Sequence, residues 1–317
     1  MNERITRRVR RRAVDRAISL KERLPSELYR DPPSWFGYLL ISFGVALISL
    51  LFIGMVILLY YSVLVSDPFE FIIYEFTVEN WLQILSAGGI HRIFARTIGL
   101  TLVVTVISVG LALPYAYLTV RTRSAVLRKL LLASIFAPFF TGVIVRAYGW
   151  LIILGREGLL NAVLAVGGLG PYRFIGTEAA VVVGLIQIML PFAIILIVPA
   201  MQNIDRSLEM AAQNLGANRW VTFKRIVIPL AAPGIAGATV VVFTITVATF
   251  AVPEFLGGGR IDFVANYIYR TLFVSQNWPL AAAVSVTLVV IASTVVFGIF
   301  RLFGTGTLGF RAGDGNA

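Results

Sequence analysis

Cysteine is absent from this chain of 317 residues, and histidine occurs once, at His91. Disulfide bonds, thiol chemistry and metal sites built from Cys and His clusters are therefore excluded. Charged residues are also scarce, since they make up 14% of the chain against about 25% in an ordinary soluble domain. Hydrophobic residues make up 58%. This surplus of apolar surface must face something other than water, and it indicates an integral membrane protein.

Motifs for nucleotide binding and hydrolytic catalysis are missing as well. The sequence contains no G-x-x-x-x-G-K-[ST] loop, no H-E-x-x-H and no G-x-S-x-G, which are the patterns that would hold phosphates, zinc or a nucleophilic serine. Ion-driven carriers usually place ionisable residues or broken helices near the middle of the membrane, and the apolar stretches here are almost free of charge. The sequence predicts a non-enzymatic conduit that depends on a partner for energy.

Six stretches are long and apolar enough to cross a membrane, because about 20 such residues span the hydrocarbon core as a helix. They lie near residues 37–63, 94–118, 130–154, 179–202, 232–255 and 279–303. We predict an all-α membrane protein with a basic tail over 1–34, a first membrane helix and outer segment over 35–92, a five-helix core over 93–303 and a second tail over 304–317. Between the third and fourth spans, a short surface helix is predicted over 159–166.

Lysine and arginine collect on one side of these predicted spans. They crowd the N-terminal tail, the loops 119–130 and 204–230 and the C-terminal end, and they are sparse in the three opposite loops. Basic residues favour cytoplasmic loops, so both termini and the 204–230 loop are predicted to be cytoplasmic. We expect the basic N-terminal tail to contact anionic lipid headgroups and not nucleic acid.

The loop 204–230 is rich in helix formers although it lies between membrane spans. Ser207 can cap a helix over residues 207–216, and Gly216 can end it. A second helix is predicted from about Asn218 to Ile228, before Pro229. Four residues of the first helix are spaced i, i+3, i+4, i+7 and form one shallow apolar stripe: Leu208, Ala211, Ala212 and Leu215.

This apolar stripe has three possible partners. It could pack against the protein's own spans, lie on the bilayer, or dock onto another protein. A membrane-lying helix needs bulky residues on its apolar face, and two alanines bury little area. The composition therefore favours a protein–protein contact.

Two charges lie within the predicted spans, Arg146 in the third and Glu254 at the end of the fifth. Charged residues inside membranes are rare and often functional, although both lie towards the outer half, where their side chains could reach water. The residues predicted to line a solute pathway are Arg146, Tyr148, Trp150, Thr249, Phe250 and Glu254. The alternative for Tyr148 and Trp150 is an aromatic belt at the membrane interface.

Residues 209–229 resemble the cytoplasmic loop of permease subunits of bacterial binding-protein-dependent ABC importers, which carries E-A-A-x-x-x-G-x(9)-I-x-L-P. Met210 occupies the position of the motif's glutamate, and Glu209 is one residue early, about 100° around the helix. Ile228 replaces the usual leucine. The residues that match the motif in register are Ala211, Ala212, Gly216, Ile226 and Pro229.

Three further blocks resemble the PotB-like branch, the spermidine/putrescine permeases: "VRAYGWLIILGREGLLN" (145–161), "LPFAIILIVPAMQNIDRSL" (190–208) and "VPEFLGGG" (252–259). In that branch the fifth span commonly reads G-E-F-x-x-P-E, whereas Ala248 and Thr249 stand here in place of Gly-Glu and Glu254 remains. One of the two acids of that pattern is thus missing. The resemblance of the three blocks nevertheless implies a polyamine as solute. Opines, amino-acid derivatives, ferric ion and oxyanions, which near relatives carry, remain alternatives.

The resemblance also implies a MetI-like type I fold in the bacterial inner membrane. Two permeases would form the pore, with a PotC-like chain as the second. The ATPase-coupling residues would be Leu208, Glu209, Ala211, Ala212, Leu215 and Gly216, on a helix that enters a groove of an ATPase dimer. ATP and Mg would be bound by that partner, this chain would need no cofactor, and a periplasmic binding protein would deliver the solute. A self-sufficient channel or carrier and a membrane scaffold are the competing interpretations.

Overall fold

The computed structural model describes residues 34–67 and 72–303. The two predicted tails lie outside the described residues, apart from Ser34. The chain divides into two units, Met1–Ile57 and Leu58–Ala317. Helix α1 (Ser34–Tyr61) starts in the first unit and contains no charged residue. It is apolar on all sides, as expected of a helix that crosses a membrane.

The second unit begins with the last turn of α1. Two short antiparallel strands follow, β1 (Leu64–Val65) and β2 (Ile73–Phe76), in which Leu64 pairs with Phe76 and Val65 with Ile73. Helix α2 (Glu79–Ser86) follows. The side chain of Asn80 is buried and donates hydrogen bonds from Nδ2 to the carbonyl oxygens of Ser62 (3.1 Å) and Leu64 (2.8 Å). These bonds fix α2 against the segment that follows α1.

Three helices form the core of the second unit: α3 (Gly88–Arg121), α7 (Glu178–Gln202) and α10 (Ala232–Val247). Small residues allow them to approach closely, as is usual between membrane helices. On α3, Ala112 and Ala116 are fully buried. A Cβ atom at Gly234 of α10 would lie 2.4 Å from the Cβ atom of Ala200 on α7, so glycine is required at that crossing.

The third span, predicted near 130–154, is broken. Helix α4 (Ala125–Phe136) passes into a 3₁₀ turn (Ala137–Phe140), and α5 (Val143–Leu154) starts after Gly142. Pro138 lies in the turn, where its ring and missing N–H do not allow the α-helix to continue. The apolar stretch 130–154 is therefore not one continuous α-helix. Helix α6 (Leu159–Val166) has the predicted bounds.

The fifth span, predicted over 232–255, is also broken. Helix α10 ends at Val247, and the short helix α11 (Ala251–Leu256) follows. Two more helices complete the described chain: α12 (Val264–Phe273), which the sequence did not lead us to expect, and α13 (Trp278–Phe303).

Within the described residues, five helical segments are long and apolar enough to cross a membrane: Gly37–Tyr61, Gly88–Arg121, Val143–Val166, Glu178–Gln202 and Trp278–Leu302. Helix α9 (Arg219–Leu230) and α10 would add a sixth span if they are counted as one, although they meet at a bend of 72°. The predicted number of six spans therefore depends on this bent pair.

Candidate functional site

Helix α8 (Arg206–Asn214) follows the end of α7 and coincides with the predicted cytoplasmic helix. Its cap is Asp205 and not Ser207, so that detail of the prediction was wrong. The Asp205 carboxylate accepts a hydrogen bond of 2.9 Å from the backbone N–H of Ser207. This bond, assisted by the charge of Arg121, lowers the pKa of Asp205 from its ordinary value, because it stabilises the charged form.

The end of α8 confirms Gly216 as its stop. Gly216 has a φ of +89°, a left-handed conformation that glycine adopts without steric cost. The N–H of Ala217 bonds to the carbonyl oxygen of Ala212, and the N–H of Gly216 bonds to that of Gln213, the paired pattern of a Schellman motif. The second predicted helix is α9, which Asn218 caps through a 2.8 Å bond to the N–H of Val221. It runs to Leu230, past Pro229.

Glu209 points into the protein. Its side chain is 6% exposed, and Oε1 lies 2.6 Å from the guanidinium of Arg121 at the end of α3. Its Oε2 accepts a hydrogen bond of 2.8 Å from the Tyr117 hydroxyl. A buried carboxylate needs such compensation, because removing a charge from water costs several kcal/mol.

Arg121 connects three segments at this position. Besides pairing with Glu209, it donates to the carbonyl oxygen of Ile204 (2.8 Å), and Arg206 donates in turn to the carbonyl oxygen of Arg121 (2.7 Å). The Tyr117 ring contacts the Phe223 ring of α9, with centroids 5.1 Å apart. We call Tyr117, Arg121, Arg206 and Glu209 the Glu209 brace; it fastens α8 to the end of α3.

The predicted apolar stripe lies mainly on the outside of α8. Leu208 is 47% exposed and Leu215 89%, Ala211 is exposed, and Ala212 is half-buried. These exposures do not fit the alternative in which the stripe packs against the protein's own spans. Glu209, which is among the predicted ATPase-coupling residues but not part of the stripe, lies on the buried side of the helix. The apolar side chains of Met210 and Trp220 are also exposed.

Helices α5 and α11 pack together, and they carry four of the residues predicted to line a pathway: Arg146, Tyr148, Trp150 and Glu254. The Tyr148 ring of α5 contacts the Phe255 ring of α11, with centroids 4.8 Å apart. Arg146 is half-buried, and within the described residues its Nε is buried without a hydrogen-bond partner. Trp150 instead packs against the hydrophobic core.

Glu254 belongs to a polar cluster at α11 and α12. Its Oε2 accepts a hydrogen bond of 2.8 Å from Asn266 and lies 3.6 Å from Arg270, which is closer to Asp262, at 2.6 Å. The Glu254 side chain is 37% exposed. Of the other two predicted residues, Phe250 contacts the Tyr269 ring at 5.0 Å, and Thr249 is half-buried. Asn266 Nδ2 also donates a hydrogen bond of 3.2 Å to the carbonyl oxygen of Phe250, so Asn266 links Phe250 with Glu254.

Reasoning from the sequence missed the partners of both carboxylates. In the sequence Arg121 is one of several basic residues in the loop 119–130, and nothing marks Tyr117, Asn266 or Asp262 as a neighbour of a carboxylate or its arginine. Tyr117 and Glu209 are 92 positions apart, and no local pattern signals that pairing.

Comparison with known proteins now identifies similar chains. The sequence profile of a family described as "Binding-protein-dependent transport system inner membrane component" matches residues 85–307. The spermidine/putrescine transport system permease protein PotB of Haemophilus influenzae is 31% identical over 257 residues, which are 80% of this chain and 89% of that protein.

Two solved structures share the fold. A bacterial alginate ABC transporter in complex with an alginate pentasaccharide-bound periplasmic protein aligns with a TM-score of 0.71 and 19% identity, over 86% of this chain and 95% of that one. The MetNI methionine ABC transporter in an inward-facing conformation aligns with a TM-score of 0.51 and 18% identity, over 68% and 97%.

Proposed function

This chain belongs to the binding-protein-dependent transport system inner membrane component family, and from that membership we propose how its parts work. It is a multi-pass bacterial inner-membrane protein and a permease subunit of an ABC importer, and its family is not itself catalytic. We assign α8 as the helix that docks on the ATPase subunits, which bind ATP and Mg. We assign the region around α11 to the solute pathway.

The observation that carries the docking assignment is the orientation of α8. Its one buried side chain is Glu209, and its apolar stripe at Leu208, Ala211 and Leu215 remains exposed. An exposed apolar face on a helix that is fastened from behind is suited to a groove on a partner, the usual mode of helix-in-groove recognition. The small side chain of Ala211 lets the groove wall approach closely.

The Glu209 brace supplies the mechanical connection in this proposal. When the ATPase dimer closes on ATP, it would move α8, and the bonds of Arg121 would transmit that movement to the end of α3. Helix α3 packs on α7 and α10, so a displacement of its end reaches the core of the permease. This arrangement needs no titratable group inside the membrane.

Cysteine crosslinking tests the docking assignment, because the chain has no native cysteine. Ala211→Cys in the assembled importer is expected to crosslink to cysteines placed in the ATPase groove. Asn214→Cys, on the same helix but about 110° from the stripe centre, is the matched control and is expected to react less. Equal crosslinking at both positions, or none at Ala211→Cys in an active complex, would reject the assignment.

We further propose that the solute is a polyamine and that the pore is a heterodimer with a second, PotC-like permease. Support comes from the spermidine/putrescine permease that this chain resembles and from the partly exposed carboxylate of Glu254. A desolvated ammonium group needs a carboxylate or another polar partner along its path. Asn266 and Arg270 both contact Glu254 at Oε2, and the side chain remains partly accessible.

Uptake by the reconstituted importer tests the polyamine assignment. Vesicles that contain both permeases, the ATPase and the binding protein are expected to accumulate labelled spermidine with ATP inside. Purified binding protein without a spermidine-induced heat signal in calorimetry, together with no uptake, would reject the assignment.

Arg146 favours a second candidate, a solute that carries an anionic group, such as an opine or an oxyanion. Within the described residues its guanidinium pairs with no carboxylate. If Arg146 lines the pathway, Arg146→Gln would lower uptake of such a solute and leave spermidine uptake unchanged or faster. The opposite result would exclude this candidate.

A further inference from the structure

A cavity of about 540 Å³ lies beside the Glu209 brace, between the end of α3 and helix α8. Four arginines and one carboxylate contribute to its walls, so the cavity is strongly basic. The charged residues that line it are Arg121, Arg123, Arg206, Glu209 and Arg219.

Much of this positive charge is not compensated. Arg121 neutralises Glu209, and Arg206 bonds to a backbone carbonyl. Arg123 and Arg219 are exposed and pair with no carboxylate among the described residues. The nearby acid Asp205 does not line the cavity, and its carboxylate caps α8. Two free guanidinium groups beside a cavity suit a phosphate, which arginine binds through paired N–H groups.

The cavity does not lie on the proposed docking face. It is lined on α8 by Arg206, Glu209, Met210 and Gln213, which are spaced i, i+3, i+4, i+7. This set is two positions out of register with the apolar stripe, or about 200° around the helix. An ATPase that covers Leu208, Ala211 and Leu215 would therefore leave the cavity open on the opposite face.

The position along α3 places the cavity at the membrane interface. The apolar stretch 94–118 is long enough to span the hydrocarbon core, and Arg121 is the basic residue in the last turn of the helix. Tyr115 and Tyr117 precede it, and aromatic residues are typical of the headgroup level. Leu118 lines the cavity and is 47% exposed, so an acyl chain could continue from there.

We propose that this cavity binds the phosphate of an anionic phospholipid, with Arg123 and Arg219 as its principal contacts. Basic pockets at the cytoplasmic ends of membrane helices bind such headgroups. The bound lipid would join the bilayer to α8 through the wall that carries Met210 and Gln213. The inference rests on the proposed function only for the leaflet, since the docking assignment places α8 in the cytoplasm.

Native mass spectrometry of the complete importer tests this site. The complex is taken from nanodiscs of phosphatidylcholine mixed in equal parts with phosphatidylglycerol, and retained lipid is counted per complex. The variant Arg123→Gln/Arg219→Gln is compared with Lys224→Gln/Arg225→Gln, which removes the same charge from exposed residues outside the cavity. We expect retained phosphatidylglycerol in the wild type and the control. We expect about thirtyfold weaker retention in the cavity variant, since each basic residue near an anionic surface strengthens attraction about fivefold.

Four outcomes would overturn the proposal. Equal retention of phosphatidylglycerol by the cavity variant and the control variant would place the lipid elsewhere. Retention of phosphatidylcholine to the same extent as phosphatidylglycerol would remove the requirement for negative charge. Displacement of the lipid by inorganic phosphate would identify a site for soluble anions. A cavity variant that releases the ATPase while it keeps its lipid would assign the cavity to an acidic side chain of that partner. The lipid count does not depend on uptake or crosslinking, so failure of the proposed function would be recognised separately.

Discussion

Two carboxylates beside arginines, Glu209 and Glu254, show how differently two regions of this protein use the same pair of groups. Glu209 is 6% exposed and lies 2.6 Å from Arg121, whereas Glu254 is 37% exposed and lies 3.6 Å from Arg270. Arg121 has Glu209 as its carboxylate partner, but Arg270 is closer to Asp262. The buried pair is suited to hold two helices together, and the loose one is suited to exchange partners with a solute.

Loss of Glu209 is expected to have the largest effect. Glu209→Ala leaves Arg121, whose side chain is 14% exposed, without its counter-charge, and removing one partner of such a largely buried pair costs about 3 kcal/mol. The thermal midpoint of the purified importer should fall, and ATP hydrolysis should become uncoupled from uptake, because α8 is no longer fastened to α3. Thermal unfolding and uptake in vesicles measure both effects.

The exchanged pair Arg121→Glu/Glu209→Arg provides the control for that experiment. It restores opposite charges across the brace and is expected to recover part of the stability and of the coupling. If Glu209 were instead a direct contact of the ATPase, the single substitution would weaken ATPase binding without lowering permease stability, and the exchange would recover nothing.

A substitution on the exposed face of α8 is expected to have the second largest effect. Ala212→Trp places a large ring in the shallow stripe and should weaken ATPase binding at least tenfold while permease stability changes little, because Ala212 is only half-buried. Asn214→Trp is the matched control, since it adds the same ring to an exposed position away from the stripe. A pull-down titration with purified ATPase measures the difference. Full binding by Ala212→Trp would mean that the wrong face has been assigned.

Glu254→Gln is expected to have a smaller effect. The glutamine keeps a carbonyl oxygen that can accept the Asn266 hydrogen bond, so stability should change by less than about 1 kcal/mol, as for other partly exposed ion pairs. Spermidine uptake should nevertheless fall severalfold, with a higher KM. Asp262→Asn, which releases Arg270 towards Glu254, should also lower uptake. Unchanged kinetics in both variants would remove Glu254 from the pathway.

Local chemistry explains which features could be predicted from the sequence. The stop at Gly216 and the start of α9 at Asn218 follow from residues adjacent to the helix ends. The cap was misplaced because Asp205 and Ser207 both offer side-chain oxygens within one turn. Hydropathy alone does not locate the breaks after Phe136 and Val247, because apolar composition continues through both and carries no signal of a change of direction.

Contacts distant in sequence could not be predicted. Nothing near Glu209 in the sequence indicates that Tyr117 and Arg121, at the end of α3, contact it. The sequence therefore shows that a carboxylate is present but not that it is buried. The same holds for Glu254, whose partners Asn266 and Arg270 lie on α12, a short helix with mixed polar and aromatic residues and no span-like signal.

Asp205 extends the comparison to an exposed carboxylate, where the smallest effect is expected. Its pKa is lowered by the hydrogen bond from Ser207, so the charged form stabilises the folded cap. That contribution is fully present above the ordinary pKa of aspartate, about 3.9, and is lost as the pH falls through the lower value of the folded protein. Hydrogen-exchange protection of the first amides of α8 should stay constant from neutral pH to about pH 4 and decrease below it.

Helix α9 is an internal control for this measurement, because Asn218 caps it with a side chain that does not titrate. Its first amides should keep their protection over the same range. Asp205→Asn should give α8 the same flat profile, since asparagine is as good a cap as aspartate, and Asp205→Ala should lower protection at every pH. If wild-type α8 and α9 lost protection together, the acid sensitivity would belong to the whole protein and not to this cap, and the exposed carboxylate would contribute nothing to holding α8.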